Sequence, residues 1–213
     1  MRSFFSLIRS NLIFLAPHAI ALLFASYFLF SFNKEEIHLS MNAHYSVFGD
    51  AVMPWITDLG DGIVVTVLVL LLFALNRNFA FFTGIACLLA SGITQLLKHT
   101  LYYGLPRPAF VFQSKLHLVH GVVNDLYDTF PSGHTTAAFA FYLSLAIGTE
   151  KKWMKLIFFS IAVLVAYSRI YLSQHFLEDT FAGSIIGVVT TLIIFAIAKS
   201  YNKVKLPALT FSK

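Results

Sequence analysis

The feature that most constrains this chain is a series of apolar runs long enough to cross a lipid bilayer. A helix rising 1.5 Å per residue needs about 20 mostly apolar residues to span the hydrocarbon layer. Leu12–Phe32, Phe79–Leu97 and Thr180–Ala198 meet that length. Leu156–Leu172 meets it with Arg169 at its aqueous end, and the shorter Ile63–Leu75 and Thr135–Gly148 reach it if they extend into the polar residues before them. The bulk figures agree. Of 213 residues, 58% are apolar, 12% are charged and 23 are Phe, whereas a soluble domain is about 45–50% apolar and about 25% charged. Mean hydropathy is +0.76. Fifteen basic and ten acidic residues are too few to solvate a globule of this size, which excludes intrinsic disorder and a free cytosolic enzyme. The expectation is an all-α integral membrane bundle of six transmembrane helices, a single membrane domain over residues 1–213.

Arg2 and Arg9 precede the first run, but that run exceeds the roughly 7–15 residues of a signal h-region, and no small-x-small cleavage site follows before Asn33. It reads as a retained anchor. One cysteine, Cys87, cannot form an internal disulfide. A net charge of +5 would suggest nucleic acid in a soluble protein; in a membrane chain it reads as a cytoplasmic excess, and no nucleic-acid partner is expected. With six spans, one side receives Arg2, Arg9, Arg77, Lys151, Lys152, Lys155, Lys199, Lys203, Lys205 and Lys213 against one acid, Glu150. The positive-inside rule then makes both termini cytoplasmic. The outer side carries Asn33–Asp61, Lys98–Gly133 and the short connection around Ser173–Asp179. Within the first of these, His44–Gly60 intersperses Phe48, Val52, Trp55 and Ile56 among polar residues, which predicts an amphipathic helix lying at the interface.

Three unusual strings border the outer ends of these helices. They are Lys98 through Arg107-Pro108, then Pro131-Ser132-Gly133-His134, then Ser168-Arg169 through His175 and Asp179. Lys98, Arg107 and Arg169 supply three cations, and guanidinium forks match phosphate oxygens bidentately. Ser132-Gly133-His134 precedes an apolar run, so its backbone N–H groups stand at a helix N-terminus, a natural anion site, and Gly133 lets a phosphate approach the backbone. His175 and Asp179, four residues apart, are neighbours on one helical face. The carboxylate can fix one imidazole nitrogen and leave the other as a nucleophile. His134 supplies a second imidazole that can protonate a leaving oxygen and later activate water. Anion cradle, oriented nucleophile and proton donor together describe phosphoryl transfer.

The strings resemble the three-part signature of the type 2 phosphatidic acid phosphatases, the membrane branch of the superfamily that includes vanadium haloperoxidases. That pattern runs K-x6-R-P, then P-S-G-H, then S-R-x5-H-x3-D. The second and third parts match at Pro131, Ser132, Gly133 and His134, and at Ser168, Arg169, His175 and Asp179; the first is K-x8-R, two residues longer than usual. The signature region is 98–179. In a continuous helix the two extra residues would turn Lys98 by about 200°, but Gly104-Leu105-Pro106 lets a loop absorb them. The resemblance implies a metal-independent reaction with no cofactor. His175 would form a phosphohistidine, Asp179 would orient it, and His134 would be general acid and then base. Lys98, Arg107, Ser132, Gly133 and Arg169 would bind phosphate.

The resulting expectation is a lipid phosphate or pyrophosphate phosphatase, multi-pass in a bacterial inner membrane, with its active site on the outer face. Undecaprenyl pyrophosphate, phosphatidylglycerol phosphate, phosphatidic acid and lipid A phosphate are all admissible substrates. A lipid phosphotransferase using the same residues, and a non-catalytic lipid-phosphate transporter or binding protein, stay open as alternatives. His117 and His120 read as loop residues because no carboxylate or cysteine at suitable spacing completes a metal set. Gly183-x-x-x-Gly187 is a small-xxx-small pattern that permits close helix packing, within one chain or between two.

Overall fold

The computed structural model describes residues 2–206 and residue 209, so Lys213 of the basic set lies outside the described residues. Among the described residues the regular secondary structure is all helical, with no strand. The helices are α1 (Arg2–Ser10), α2 (Leu12–Ser31), α3 (Lys34–Asn42), α4 (Val47–Asp58), α5 (Gly62–Leu75), α6 (Arg77–Thr100), α7 (Pro108–Phe112), α8 (Gly133–Gly148), α9 (Lys152–Tyr171) and α10 (Leu177–Ser200).

All six expected crossing segments are helical. Four of them, α2, α6, α9 and α10, are long and apolar enough to span a membrane, and α4 with α5 forms a fifth candidate bent by 54°. Extension of the two short segments into the preceding residues stops after one residue in α5 and two in α8, because polar side chains cap them. Asp61 accepts the N–H groups of Ile63 and Val64 at 2.8 and 3.3 Å and starts α5. Ser132 accepts from Thr135 N–H at 3.4 Å and starts α8. Such caps satisfy N–H donors that have no partner within the helix. At 16 residues, α8 is roughly 24 Å long, short of the ~30 Å hydrocarbon layer.

The amphipathic segment is helical as α4, with Val47, Phe48 and Trp55 exposed and Gly49 and Thr57 buried. Three short helices, α1, α3 and α7, add to the elements expected from the sequence. The middle of the bundle is α8, buried along its whole length except at Gly133, His134 and Leu145. It packs against α6, α9 and α10. Gly183 and Gly187 explain the closest of these contacts: a Cβ would stand 2.7 Å from Ser132 O at the first and 2.6 Å from Thr136 O at the second. The small-xxx-small pattern is therefore used inside the chain, between α10 and α8. At one end of the bundle Lys155 donates to Ser10 O at 2.9 Å and to Asn11 Oδ1 at 2.6 Å, and Lys199 donates to Ser6 Oγ at 3.0 Å. Four element ends meet at the other: the C-termini of α6 and α9 and the N-termini of α8 and α10.

Candidate active site

Those four ends and the loops beside them bring together the candidate site residues of the three strings. Lys98 sits in the last turn of α6, Ser132 caps α8 with Gly133 and His134 in its first turn, Arg169 lies in the last turn of α9, and Asp179 in the first turn of α10. Arg107 comes from the loop after α6 and His175 from the turn before α10. Ser132 N–H donates to Asp179 O at 3.0 Å, which ties the second string to the third.

His175 is the floor of the site, its side chain 2% exposed. Its Nδ1 lies 3.3 Å from Asp179 Oδ2 and 3.4 Å from Thr129 Oγ1. The Thr129 hydroxyl donates to Asp179 Oδ2, as does Phe176 N–H at 2.8 Å. Both neighbours of Nδ1 are therefore acceptors toward it, which assigns the ring proton to Nδ1 and leaves the Nε2 lone pair free. Burial first, then the charges of Arg169, Arg107 and Lys98, hold this imidazole well below its ordinary pKa. It is neutral at pH 7, the form that can act as a nucleophile.

His134 stands at the mouth, its side chain 29% exposed, with Nε2 3.8 Å from Asp61 Oδ2. Nothing lies within 4 Å of where a Cβ on Gly133 would be, so the backbone there faces open space. The cations are anchored individually. Arg107 donates from Nε to Tyr127 O at 2.8 Å and from Nη1 to Gln174 Oε1 at 3.0 Å, with Asp125 Oδ2 3.5 Å from Nη2. Arg169 donates from Nη1 to Thr57 Oγ1 at 2.8 Å and from Nη2 to Gln174 Oε1 at 3.4 Å, while its buried Nε finds no acceptor.

Lys98, the residue put at risk by the longer spacing, is buried and inside the cluster, its charge acting on His175. α6 ends at Thr100, and Gly104 takes a positive φ of 75° with its N–H on Asp128 Oδ1 at 2.9 Å. The two extra residues are thus taken up in a turn, and the 200° displacement of a continuous helix does not arise.

Four contributors were not read from the sequence. Thr129 and Gln174 adjoin the strings, but their polar types alone gave no signal. Thr57 and Asp61 come from the α4–α5 junction, far away in sequence. The outer helices also brace the turn that carries His175. His38 Nε2 lies 3.2 Å from Ser173 Oγ, to which Asn42 Nδ2 donates at 3.3 Å. Tyr171 O–H donates to Asp50 Oδ1 at 2.6 Å, and His117 Nε2 lies 2.9 Å from Asp50 Oδ2. His117 thus has a carboxylate partner after all, supplied by α4, but no group of three or more metal-binding side chains forms among the described residues.

The sequence model of the PAP2 superfamily matches residues 79–203. Undecaprenyl-diphosphatase BcrC of Bacillus subtilis is 29% identical over 72% of this chain and 77% of its own length. Phosphatidylglycerophosphatase B of the same organism is 30% identical over 56% of this chain and 58% of its own. Among solved structures, LpxE of Aquifex aeolicus superposes with a TM-score of 0.67 at 29% identity, covering 75% of this chain and 92% of that one. A transmembrane PAP2-type phosphatidylglycerolphosphate phosphatase from Bacillus subtilis, 24% identical, shares the fold over 94% of this chain and 98% of its own with a TM-score of 0.59. With the three strings gathered at one bundle end and the matched region covering more than half its length, the chain belongs to the PAP2 superfamily and is a membrane phosphatase that hydrolyses phosphate esters.

Proposed function

We propose that this phosphatase removes phosphate from lipid phosphates or pyrophosphates at the outer face of a bacterial inner membrane, through a phosphohistidine on His175. The observation that carries the reading is the buried, neutral His175, proton fixed on Nδ1, beneath Lys98, Arg107 and Arg169. In the first step Nε2 attacks phosphorus and the bond to the leaving oxygen breaks. His134 gives that oxygen a proton, and its place at the mouth suits a leaving group that stays in the bilayer. In the second step His134 takes a proton from water, the water oxygen attacks phosphorus, the P–N bond breaks and inorganic phosphate leaves. The three cations, Ser132 and the Gly133 N–H stabilise the equatorial oxygens, a largely electrostatic role. The residues present complete this cycle without a metal or cofactor.

The whole chain, residues 1–213, acts as one membrane domain with its signature in 98–179. It crosses six times, with α5 and α8 as the second and fourth segments and both termini cytoplasmic. The basic residues at the bundle end opposite the site support this orientation. A lipid substrate is supported by a groove of about 290 Å³ between α5 and α6. It begins at Gly62, beside Asp61, and reaches Ala137, one turn from His134. Relatives named for undecaprenyl diphosphate, phosphatidylglycerophosphate and lipid A bracket the substrate class.

The test is phosphate release by the detergent-purified protein across undecaprenyl pyrophosphate, phosphatidylglycerol phosphate, phosphatidic acid and lipid A. Turnover should survive EDTA, stop with vanadate and vanish in His175→Ala. Retained turnover in His175→Ala, or a strict magnesium requirement, overturns the mechanism. Transfer of labelled phosphate to a second lipid in place of free phosphate identifies a phosphotransferase.

A further inference from the structure

Gln174 immediately precedes the nucleophile and is 4% exposed. Its amide is fully used. Oε1 accepts from Arg107 Nη1 at 3.0 Å and from Arg169 Nη2 at 3.4 Å, while Nε2 donates to Val123 O at 2.8 Å and to Asn124 Oδ1. This orientation is fixed by chemistry, since an NH₂ group cannot face two guanidinium donors.

Two guanidinium groups within reach of one atom repel each other. A carbonyl oxygen between them offers the negative end of a dipole, so it holds both forks without cancelling either charge. A carboxylate would grip them more strongly but would neutralise one of the charges a phosphate dianion needs. An apolar side chain would give no acceptor and leave the forks to separate. Among side chains of this size, an amide alone combines attachment with retained charge.

We propose that Gln174 is a positioning residue that yokes the Arg107 and Arg169 forks to one carbonyl oxygen, aiming both at a single phosphoryl group, with Val123 and Asn124 fixing the amide. The role rests on the reading of this cluster as the phosphate site. It acts through the arginines and requires no contact between Gln174 and substrate.

Orthovanadate is the probe, as a competitive inhibitor of the full-length protein in detergent, together with the pH profile of kcat/KM. Gln174→Met keeps volume and charge but removes the acceptor. Its vanadate inhibition constant should rise roughly tenfold to a hundredfold, the range for a hydrogen bond to a charged group, with the acid limb of the profile unmoved. Gln174→Glu keeps an acceptor but adds an anion beside His175. Its inhibition constant should also rise, and its acid limb should move to higher pH. The new anion opposes Lys98, Arg107 and Arg169, while Asp179 and His134, the other titratable groups near the ring, are unchanged. A wild-type inhibition constant in either variant overturns the proposal, as does an unmoved acid limb in Gln174→Glu. If Gln174→Met does not fold, Gln174→Glu alone decides. A merely structural role lowers melting temperature and the active fraction while leaving both readouts in place, and it too overturns the proposal. Failure of vanadate to inhibit the unmutated protein instead removes the phosphate-site reading, and this proposal with it.

Discussion

Substituting Gly183 by alanine tests whether helix packing sets the geometry of the phosphate cradle. Gly183 is on α10 and faces the N-cap of α8. An added Cβ would stand 2.7 Å from Ser132 O, 3.1 Å from Thr136 Oγ1 and 3.3 Å from Thr135 Cβ, where ordinary contact begins at 3.4 Å. The tightest neighbour is a backbone carbonyl at a helix start, so it cannot swing aside; the two helices must part by about 0.7 Å. Overpacking of this kind costs about 1–3 kcal/mol, which in a chain of this size lowers the melting temperature by roughly 3–10 °C. The same displacement carries Ser132, and misplacement by about 1 Å can cost on the order of a hundredfold in rate. Gly133→Ala is the internal control. Nothing lies within 4 Å of its added Cβ, so it should melt like the wild type yet lose phosphate affinity because the methyl group enters the space a phosphate takes. The assays are thermal unfolding in detergent and phosphate release from a lipid phosphate. If Gly183→Ala melts and turns over like the wild type, α10 does not position the cradle, and the reasoning fails.

Two further predictions follow from the His175 environment. Thr129→Val removes the hydroxyl shared with Asp179 and His175 at nearly constant shape, and should lower kcat about tenfold or more while leaving the vanadate inhibition constant within twofold; an unchanged kcat would show that Asp179 orients the ring unaided. His175 is held well below its ordinary value by burial and three cations, and burial lowers His38 to about 4 against the opposing charge of Asp179. The folded state therefore favours the neutral forms, so their contribution to stability is complete above pH 6.5 and falls as pH drops below it toward 4. Melting temperature should be flat above pH 6.5 and decline below it, and the acid limb of kcat/KM for the free enzyme should also lie below 6.5; a limb at or above 6.5 contradicts the assigned protonation state.

The order of the three strings made the clustering of the candidate site legible in the sequence, because each borders an apolar run and each run ends on the same side. Gly104 and Pro106 signalled the turn that absorbs the long K-x8-R spacing, since glycine and proline mark breaks by local conformation alone. Gly183 and Gly187 announced a close helix contact, though not its partner. The braces were not legible. Thr57, Asp61 and Asn42 reach their partners across long sequence separations, and such contacts leave no periodic trace. How far α5 and α8 extend beyond their apolar runs is not legible either. Hydropathy gives the apolar length of a segment, but Asp61 and Ser132 decide where the backbone becomes helical by capping its N–H groups.

The burial of α8 on nearly every side divides the chain by its tolerance for change. A side chain altered anywhere from Thr135 to Leu143 meets packed neighbours on α6, α9 or α10, and any shift of that shaft moves the proposed anion site at its tip. Selection for a different lipid therefore has little room to work there. The lipid-facing sides of α2, α5 and α6, rich in exposed Leu, Ile, Val and Phe, can vary without disturbing the reacting atoms. A rigid central rod with a variable rind lets one phosphoryl chemistry be refitted to many hydrophobic tails.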